Sequence, residues 1–268
     1  MVIGFIGGGI MAEAIIRGVL NKKVVSASDF IISEPVEARR VFLKDTYHLN
    51  LANSNNDLIE QSDTIILCIK PQSLNSFAKD LKDKFRPEQL LISILAGISI
   101  NNILEGFKHN KVIRVMPNTP AQIGEGASLW ISGPEVNEKD KIFAKNILSS
   151  LGLEFEVVEE KLIDIGTALS GSGPAYVALF IESLIDAAVA LGMTRDMAEN
   201  LTLQTVYGTA KLMSDQNISA VDMKKMVTSP GGTTAEALMT LEKQQLRSVL
   251  MEGVYSAYNK SISLRGGF

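Results

Sequence analysis

The first twelve residues, Met1-Val2-Ile3-Gly4-Phe5-Ile6-Gly7-Gly8-Gly9-Ile10-Met11-Ala12, constrain the fold more than any other stretch. An apolar run passes through G-x-G-x-x-A straight into a helical pattern. A strand that must turn at once into a helix needs one glycine for the tight turn. It needs a second so that backbone can approach a bulky anion, and a small residue so that helix and strand pack closely. Gly7, Gly9 and Ala12 hold those positions. The pattern predicts a dinucleotide fingerprint with the pyrophosphate on the helix N-terminus. A glycine-rich βα turn without a ligand is the alternative.

Residues 30–33, 64–69 and 90–95 are near-continuous apolar runs, as strands buried on both faces of a parallel sheet should be. Helical or polar segments at 36–46, 57–61 and 74–85 separate them. Residues 112–116 and 127–131 extend the sheet, and 155–158 read as its last strand. This predicts an α/β fold whose N-terminal doubly wound (Rossmann-type) domain spans residues 1–163. Strand signals then stop. Residues 174–191, 195–214 and 245–261 are helix-forming, with Leu246, Val249, Leu250, Val254 and Ala257 at helical spacing. An all-helical C-terminal domain over 164–268 follows. It is more apolar than a small solvated bundle requires, so a face packed on another subunit competes with a self-contained bundle.

Composition excludes several classes. With 268 residues, 46% of them hydrophobic, the chain can bury a large core, and a net charge of -4 without a basic stripe excludes nucleic acid as a partner. Cys68 is the single cysteine and sits in an apolar run, which reads as a buried structural thiol rather than a disulfide or metal ligand. His48 and His109 are far apart in sequence and are assigned to the surface, so no metal site is expected. Glu182 and Asp186 interrupt the longest apolar segment, around 175–193, which argues against a membrane span. A strand starting at Val2 leaves no room for a cleavable leader, and a cytoplasmic location is expected.

A second glycine cluster lies far downstream, in Thr228-Ser229-Pro230-Gly231-Gly232-Thr233-Thr234, ahead of a helical run over 234–242. Adjacent glycines let successive amides converge on one oxyanion, and a helix N-terminus adds partial positive charge. A small carboxylate fits such a loop; an ordinary Pro-Gly turn capped by threonine is the alternative.

Taken together, Gly4 to Gly9, Cys68-Ile69-Lys70-Pro71, Arg114-Val115-Met116-Pro117-Asn118-Thr119-Pro120, Leu169-Ser170-Gly171-Ser172-Gly173-Pro174-Ala175-Tyr176 and the Thr228 to Thr234 loop resemble the pyrroline-5-carboxylate reductase family over essentially the whole chain. The resemblance implies reduction of a cyclic imino acid to L-proline, the last step of proline biosynthesis, with NADP(H) or NAD(H). It implies that Ile6, Gly7, Gly8, Gly9, Ile10 and Met11 line the pyrophosphate and that Asn55 lies near the nicotinamide half. Ile69 and Lys70 would meet the cofactor after the third strand, and Leu95 and Ala96 after the fourth. Lys70 also reads as a solvated strand-end lysine. Gly231, Gly232 and Thr233 would hold the substrate carboxylate, and Thr234 would be the catalytic hydroxyl at the ring nitrogen. Ser170 and Ser172 either line the substrate pocket or cap a helix. The family also implies a homo-oligomer, at least a dimer, whose dimers often assemble into rings.

Three residues depart from the family pattern: Ile10 for a polar residue, Lys225 for an acidic one, and Glu34 for a small hydroxyl. Glu34 would accept ribose hydroxyls, whereas Arg39 and Arg40 could reach a 2′-phosphate, so the sequence leaves NADH and NADPH open. A β-hydroxyacid dehydrogenase shares the fold plan, but residues 174–190 lack that family's catalytic lysine. A non-catalytic cofactor-binding relative would not need the intact 228–234 loop.

Overall fold

The computed structural model describes residues 1–265. In chain order its first elements are β1 (Ile3–Ile6), α1 (Ile10–Asn21), β2 (Phe30–Ser33), α2 (Glu37–Tyr47), β3 (Asn50–Leu51), α3 (Asn55–Gln61), β4 (Thr64–Leu67) and α4 (Leu74–Leu81). They continue with β5 (Leu90–Ser93), α5 (Ile100–Phe107), β6 (Val112–Met116), β7 (Gly126–Ser132), α6 (Glu138–Ser149), β8 (Gly152–Glu156) and α7 (Glu160–Gly166). The strands form one sheet in the order β3-β2-β1-β4-β5-β6-β7-β8. Pairing is parallel from β3 to β6, antiparallel between β6 and β7, and parallel again between β7 and β8.

Alternation along each central strand builds two cores. Ile3, Phe5, Ile66 and Ile92 face α1 and α6, where Ala12, Ile15, Ile16, Val19, Ile147 and Leu148 close one layer. Ile6, Ile65, Leu67 and Leu91 face α3, α4 and α5 through Leu58, Ile59, Leu74, Ile103 and Phe107. The doubly wound reading therefore holds. Its third and fourth strands end two residues early, because Cys68-Ile69 and Ile94-Leu95 leave the ladder to shape the rim above it. The last strand begins three residues earlier than expected, opposite Gly126. It is an edge strand whose Glu154 and Glu156 hold Trp130 Nε1 (2.7 Å) and Lys141 (2.7 Å), so apolar content could not mark it.

His109 is not on the surface. It is buried beside Phe85, with Nε2 2.8 Å from the Gln89 carbonyl, and burial pushes its pKa down. Cys68 is half-buried, and desolvation pushes its thiol up, consistent with an inert structural cysteine.

Two compact units emerge among the described residues, one comprising residues 1–172 and 256–265, the other Gly173–Tyr255. The expected division after residue 163 falls inside α7. That helix buries Ile163, Asp164 and Gly166, and a Cβ on Gly166 would stand 2.7 Å from Leu129, so the segment belongs with the sheet. A π-helical turn, Thr167–Gly171, follows it directly, and Ser172 stands between that turn and the next helix.

The second unit holds α8 (Gly173–Ala190), α9 (Arg195–Asp215), α10 (Ala220–Met226), α11 (Thr233–Lys243) and the first half of α12 (Leu246–Arg265). It buries little of itself. Ile185 is the buried residue of α8, and Ala198 and Thr202 those of α9. Leu179, Phe180, Leu184, Leu201, Tyr207, Leu241, Val249 and Leu250 are all exposed. By length and composition alone the helix Glu160–Ala190, which carries Glu182 and Asp186, is long and apolar enough to cross a membrane. Each large side chain of this kind contributes about 1.5–3 kcal/mol when fully buried. A handful of them offsets an association cost on the order of 4–15 kcal/mol, so a second copy can supply the missing core.

A buried ion cluster stabilises the end of the sheet. Arg114 on β6 pairs with Glu160 and stands 3.7 Å from Asp164, while Asp164 also accepts from Ser261 at 3.2 Å. Glu160 further accepts the Ile100 amide at 2.6 Å, which ties the start of α5 to α7. Removing one partner from such a cluster strands buried charge. Arg114→Met is expected to cost about 3–5 kcal/mol, read from the urea midpoint of unfolding; a change within about 0.5 kcal/mol would show that the cluster is dispensable.

Candidate active site

The strand order reverses direction of growth between β1 and β4, and ligands of such sheets bind above that point, at the carboxyl ends of the strands. A cleft of about 610 Å³ opens there. Its lining includes Ile6, Gly7, Gly9, Ser33, Glu34, Arg40, Asn55, Cys68, Ile69 and Lys70.

Gly7 makes the turn that shapes the cleft. Its φ is +96°, and a Cβ would lie 2.6 Å from the Cys68 carbonyl oxygen, so any side chain collides with backbone. Its N–H donates to the Ser33 carbonyl at 2.9 Å, locking β1 to β2 at the rim. Gly8 packs against Ile32 and Leu43 on the inner side. Gly9 differs: its φ is an ordinary -66°, and nothing stands within 4 Å of an added Cβ. Neither backbone strain nor packing therefore demands glycine at residue 9. Open space before a helix N-terminus does fit a pyrophosphate approaching the backbone. Ile10, 67% exposed, and Met11 begin α1 at this edge.

Asn55 opens α3, where Ser54 caps the helix at Asp57 N (3.1 Å), and Asn55 Oδ1 accepts the Ser33 hydroxyl at 2.7 Å. Lys70 is exposed on the wall of the cleft, next to Ile69. Leu95 and Ala96, after β5, do not line this cleft; Leu95 is buried in the core below it.

The sequence reading missed what holds the glycine turn. Arg39 reaches from α2 across the loop, donating through Nε to the Gly8 carbonyl (2.5 Å) and through a terminal nitrogen to Gly9 O (3.3 Å) and Glu13 Oε2 (2.5 Å). Tyr47 donates to the other Glu13 oxygen at 2.7 Å. Burial alone would raise the Glu13 carboxyl, but the bonds from Arg39 and Tyr47 outweigh it and hold the group below its usual value. Arg39, expected near a 2′-phosphate, is thus engaged with the loop instead. No periodicity marks such a network, because its members sit on α1 and α2 and meet only in the fold.

In the helical unit, residues 228–234 form a turn at the start of α11. Gly231 has φ +70°, and a Cβ on Gly232 would lie 2.4 Å from Ser229 Oγ. The Gly232 amide donates to the Ser229 carbonyl at 3.1 Å, closing the turn. Thr233 and Thr234 are the first two helical residues, where amides lack intrahelical acceptors. The Thr228 hydroxyl bonds back to Lys224 O (2.6 Å), and Lys225 pairs with Asp222 (3.6 Å). Ser172 lies in the other compact unit, closing the π turn through its N–H to Thr167 O at 2.8 Å. Ser170 Oγ bonds back to Gly166 O at 3.0 Å within the π turn, and Ser172 stands at the bend directly before α8. π turns of this kind recur at functional sites.

Comparison with known proteins gives concordant matches. Residues 160–264 match the family model for pyrroline-5-carboxylate reductase dimerisation, and residues 2–97 that for NADP oxidoreductase, coenzyme F420-dependent. Pyrroline-5-carboxylate reductase of Synechocystis is 42% identical over 98% of this chain and 97% of its own length; that of Arabidopsis thaliana is 37% identical over 98% and 95%. The crystal structure of the Plasmodium falciparum enzyme with NADP bound superposes with a TM-score of 0.89 at 37% identity, covering 98% of both chains.

Gly7 and Gly9 separate structure from ligand binding. Gly7→Ala is expected to destabilise the fold by about 1–3 kcal/mol, as a residue forced into an unfavourable backbone region should. Gly9→Ala should leave the melting temperature unchanged and weaken dinucleotide binding by about tenfold. Thermal melts with calorimetric titration check both, and unweakened binding by Gly9→Ala would mark the turn as a mere βα connection.

Proposed function

The chain belongs to the pyrroline-5-carboxylate reductase family, and from that premise we propose which of its residues carry the activity. The enzyme reduces 1-pyrroline-5-carboxylate to L-proline with NADPH or NADH. When bound, the reduced nicotinamide supplies a hydride to the imine carbon. Gly7, Gly8, Gly9, Ile10 and Met11 would hold the dinucleotide, with Ile69 and Lys70 on the far wall of the cleft.

The protein's own tasks are then few. A protonated imine is already electrophilic, so no strong base is needed; positioning and one well-placed hydrogen bond supply most of the catalysis. Gly231, Gly232 and Thr233 would seat the substrate carboxylate where the partial positive charge of α11 is greatest. The Thr234 hydroxyl, one residue further along the helix, would hold the ring nitrogen and its proton in line. The single observation that carries this reading is the 228–234 turn itself. Its two glycines, one at φ +70° and one closely packed on Ser229, deliver a helix N-terminus and a threonine hydroxyl together.

We further propose a dimer in which the exposed apolar faces of α8, α9 and α12 pack against those of a second copy, with the partner's loop completing each site. The dimerisation family model over residues 160–264 supports homo-oligomerisation, and the thin core of the helical unit supports an obligate interface. A cytoplasmic enzyme assembled further into rings of dimers is compatible with this arrangement.

Oxidation of NADPH or NADH in the presence of pyrroline-5-carboxylate, followed by the absorbance of the reduced nicotinamide, tests the activity. Thr234→Ala is expected to lower kcat/KM by the worth of one preorganised donor, about 2–4 kcal/mol, with cofactor affinity unchanged. A variant with wild-type kcat/KM would remove Thr234 from the chemistry.

A further inference from the structure

We propose that Glu34 makes this enzyme prefer NADH to NADPH, by fixing a carboxylate where an adenosine 2′-phosphate would have to lie. The inference rests on the dinucleotide reading of the cleft and concerns only its ribose end. Glu34 directly follows β2 and lines the cleft, at the strand end where an acidic side chain meets the ribose hydroxyls.

Its carboxylate is held in place. Oε2 accepts the Gly8 amide at 2.7 Å, and Oε1 accepts the Val36 amide at 2.9 Å. A carboxylate offers about four lone-pair directions, so with two amides bound it can still accept from ribose hydroxyls. To a phosphate it offers no donor and a charge of the same sign. Swinging it aside would leave the Gly8 amide unpaired in the loop that must hold the pyrophosphate.

The two arginines of α2 nearest this end are already engaged. Arg39 is turned inward, onto the Gly8 and Gly9 carbonyls and Glu13, and Tyr47 secures Glu13 from the other side. Freeing its guanidinium would break the clamp on the same loop. Arg40 lines the cleft as a half-buried side chain and is already paired with Glu37 one turn earlier at 3.3 Å. An arginine whose charge is already shared with Glu37 brings little net attraction against a carboxylate held by two backbone amides.

Titration calorimetry of the intact enzyme with NADH and with NADPH, alongside kcat/KM for each with pyrroline-5-carboxylate, tests the assignment. Wild type is expected to bind NADH at least about tenfold more tightly, with the same order in kcat/KM. Glu34→Gln keeps an acceptor for the Gly8 amide and removes the charge, so the NADPH-to-NADH ratio of dissociation constants should fall by about tenfold. Taking the ratio within each variant cancels any general loosening of the glycine loop. Equal or tighter binding of NADPH by wild type would overturn the proposal, as would an unchanged ratio in Glu34→Gln. Wild type that binds neither dinucleotide would overturn the cofactor reading itself, a result distinct from binding with the wrong preference.

Discussion

At Gly7 the chain leaves β1 so close to the end of β4 that an added Cβ would stand 2.6 Å from the Cys68 carbonyl. That approach fixes much of the sheet end. It brings the start of α1 over the reversal in strand order, sets Ser33 and Glu34 on one side and Ile69 and Lys70 on the other, and leaves the space in front of Gly9 open. The turn is then restrained from outside by three side chains of two helices. Arg39 holds its carbonyls, Glu13 neutralises Arg39, and Tyr47 orients Glu13. Preorganisation at the phosphate end is thus built from backbone sterics and one hydrogen-bonded ion pair with limited exposure, which loses less to solvent screening than a fully exposed pair would.

The helical unit follows a different rule. Its helices are well formed, with Thr194 and Ser219 capping α9 and α10, yet they enclose almost no interior of their own. Local propensity shapes each helix, and tertiary burial has to come from elsewhere. On the proposed reading that source is a second copy, so the element presenting the substrate loop is stable only where a partner is present, which couples assembly to activity.

Much of this was legible in the residues because the relevant physics is local. Strands buried on both faces read as unbroken apolar runs, and G-x-G-x-x-A and the Gly-Gly-Thr-Thr turn are short motifs with steric causes. Other parts were illegible for equally physical reasons. β8 lies at an edge and carries Glu154, which pairs with Trp130 and Lys145, and Glu156, which pairs with Lys141, so its apolar signal is weak. The two-residue β3 is too short for any period. His109 was assigned to the surface on residue type alone, whereas its burial depends on the packing of Phe85 and the Gln89 carbonyl. The division was placed after residue 163 because strand signals stop there, whereas α7 still packs its buried side, at Gly166, on Leu129 of the sheet. Arg39 illustrates the general limit: sequence shows a cation near the right strand, and only the fold shows which way it turns.

The central proposal, that cofactor cleft and substrate loop act together across two copies, is tested most directly by subunit complementation. One variant, Gly9→Glu, would put a carboxylate into the space before α1, where an added Cβ meets nothing within 4 Å; the other, Thr234→Ala, would disable the loop. Each is expected to be nearly inactive alone. When the two are co-expressed and assemble at random, half of the dimers are mixed, and each mixed dimer with partner-completed sites contains one site free of both lesions. Recovery of about a quarter of wild-type activity is the expected result. If mixed preparations show no more activity than the two variants measured separately, cleft and loop belong to the same chain and the shared-site model is wrong.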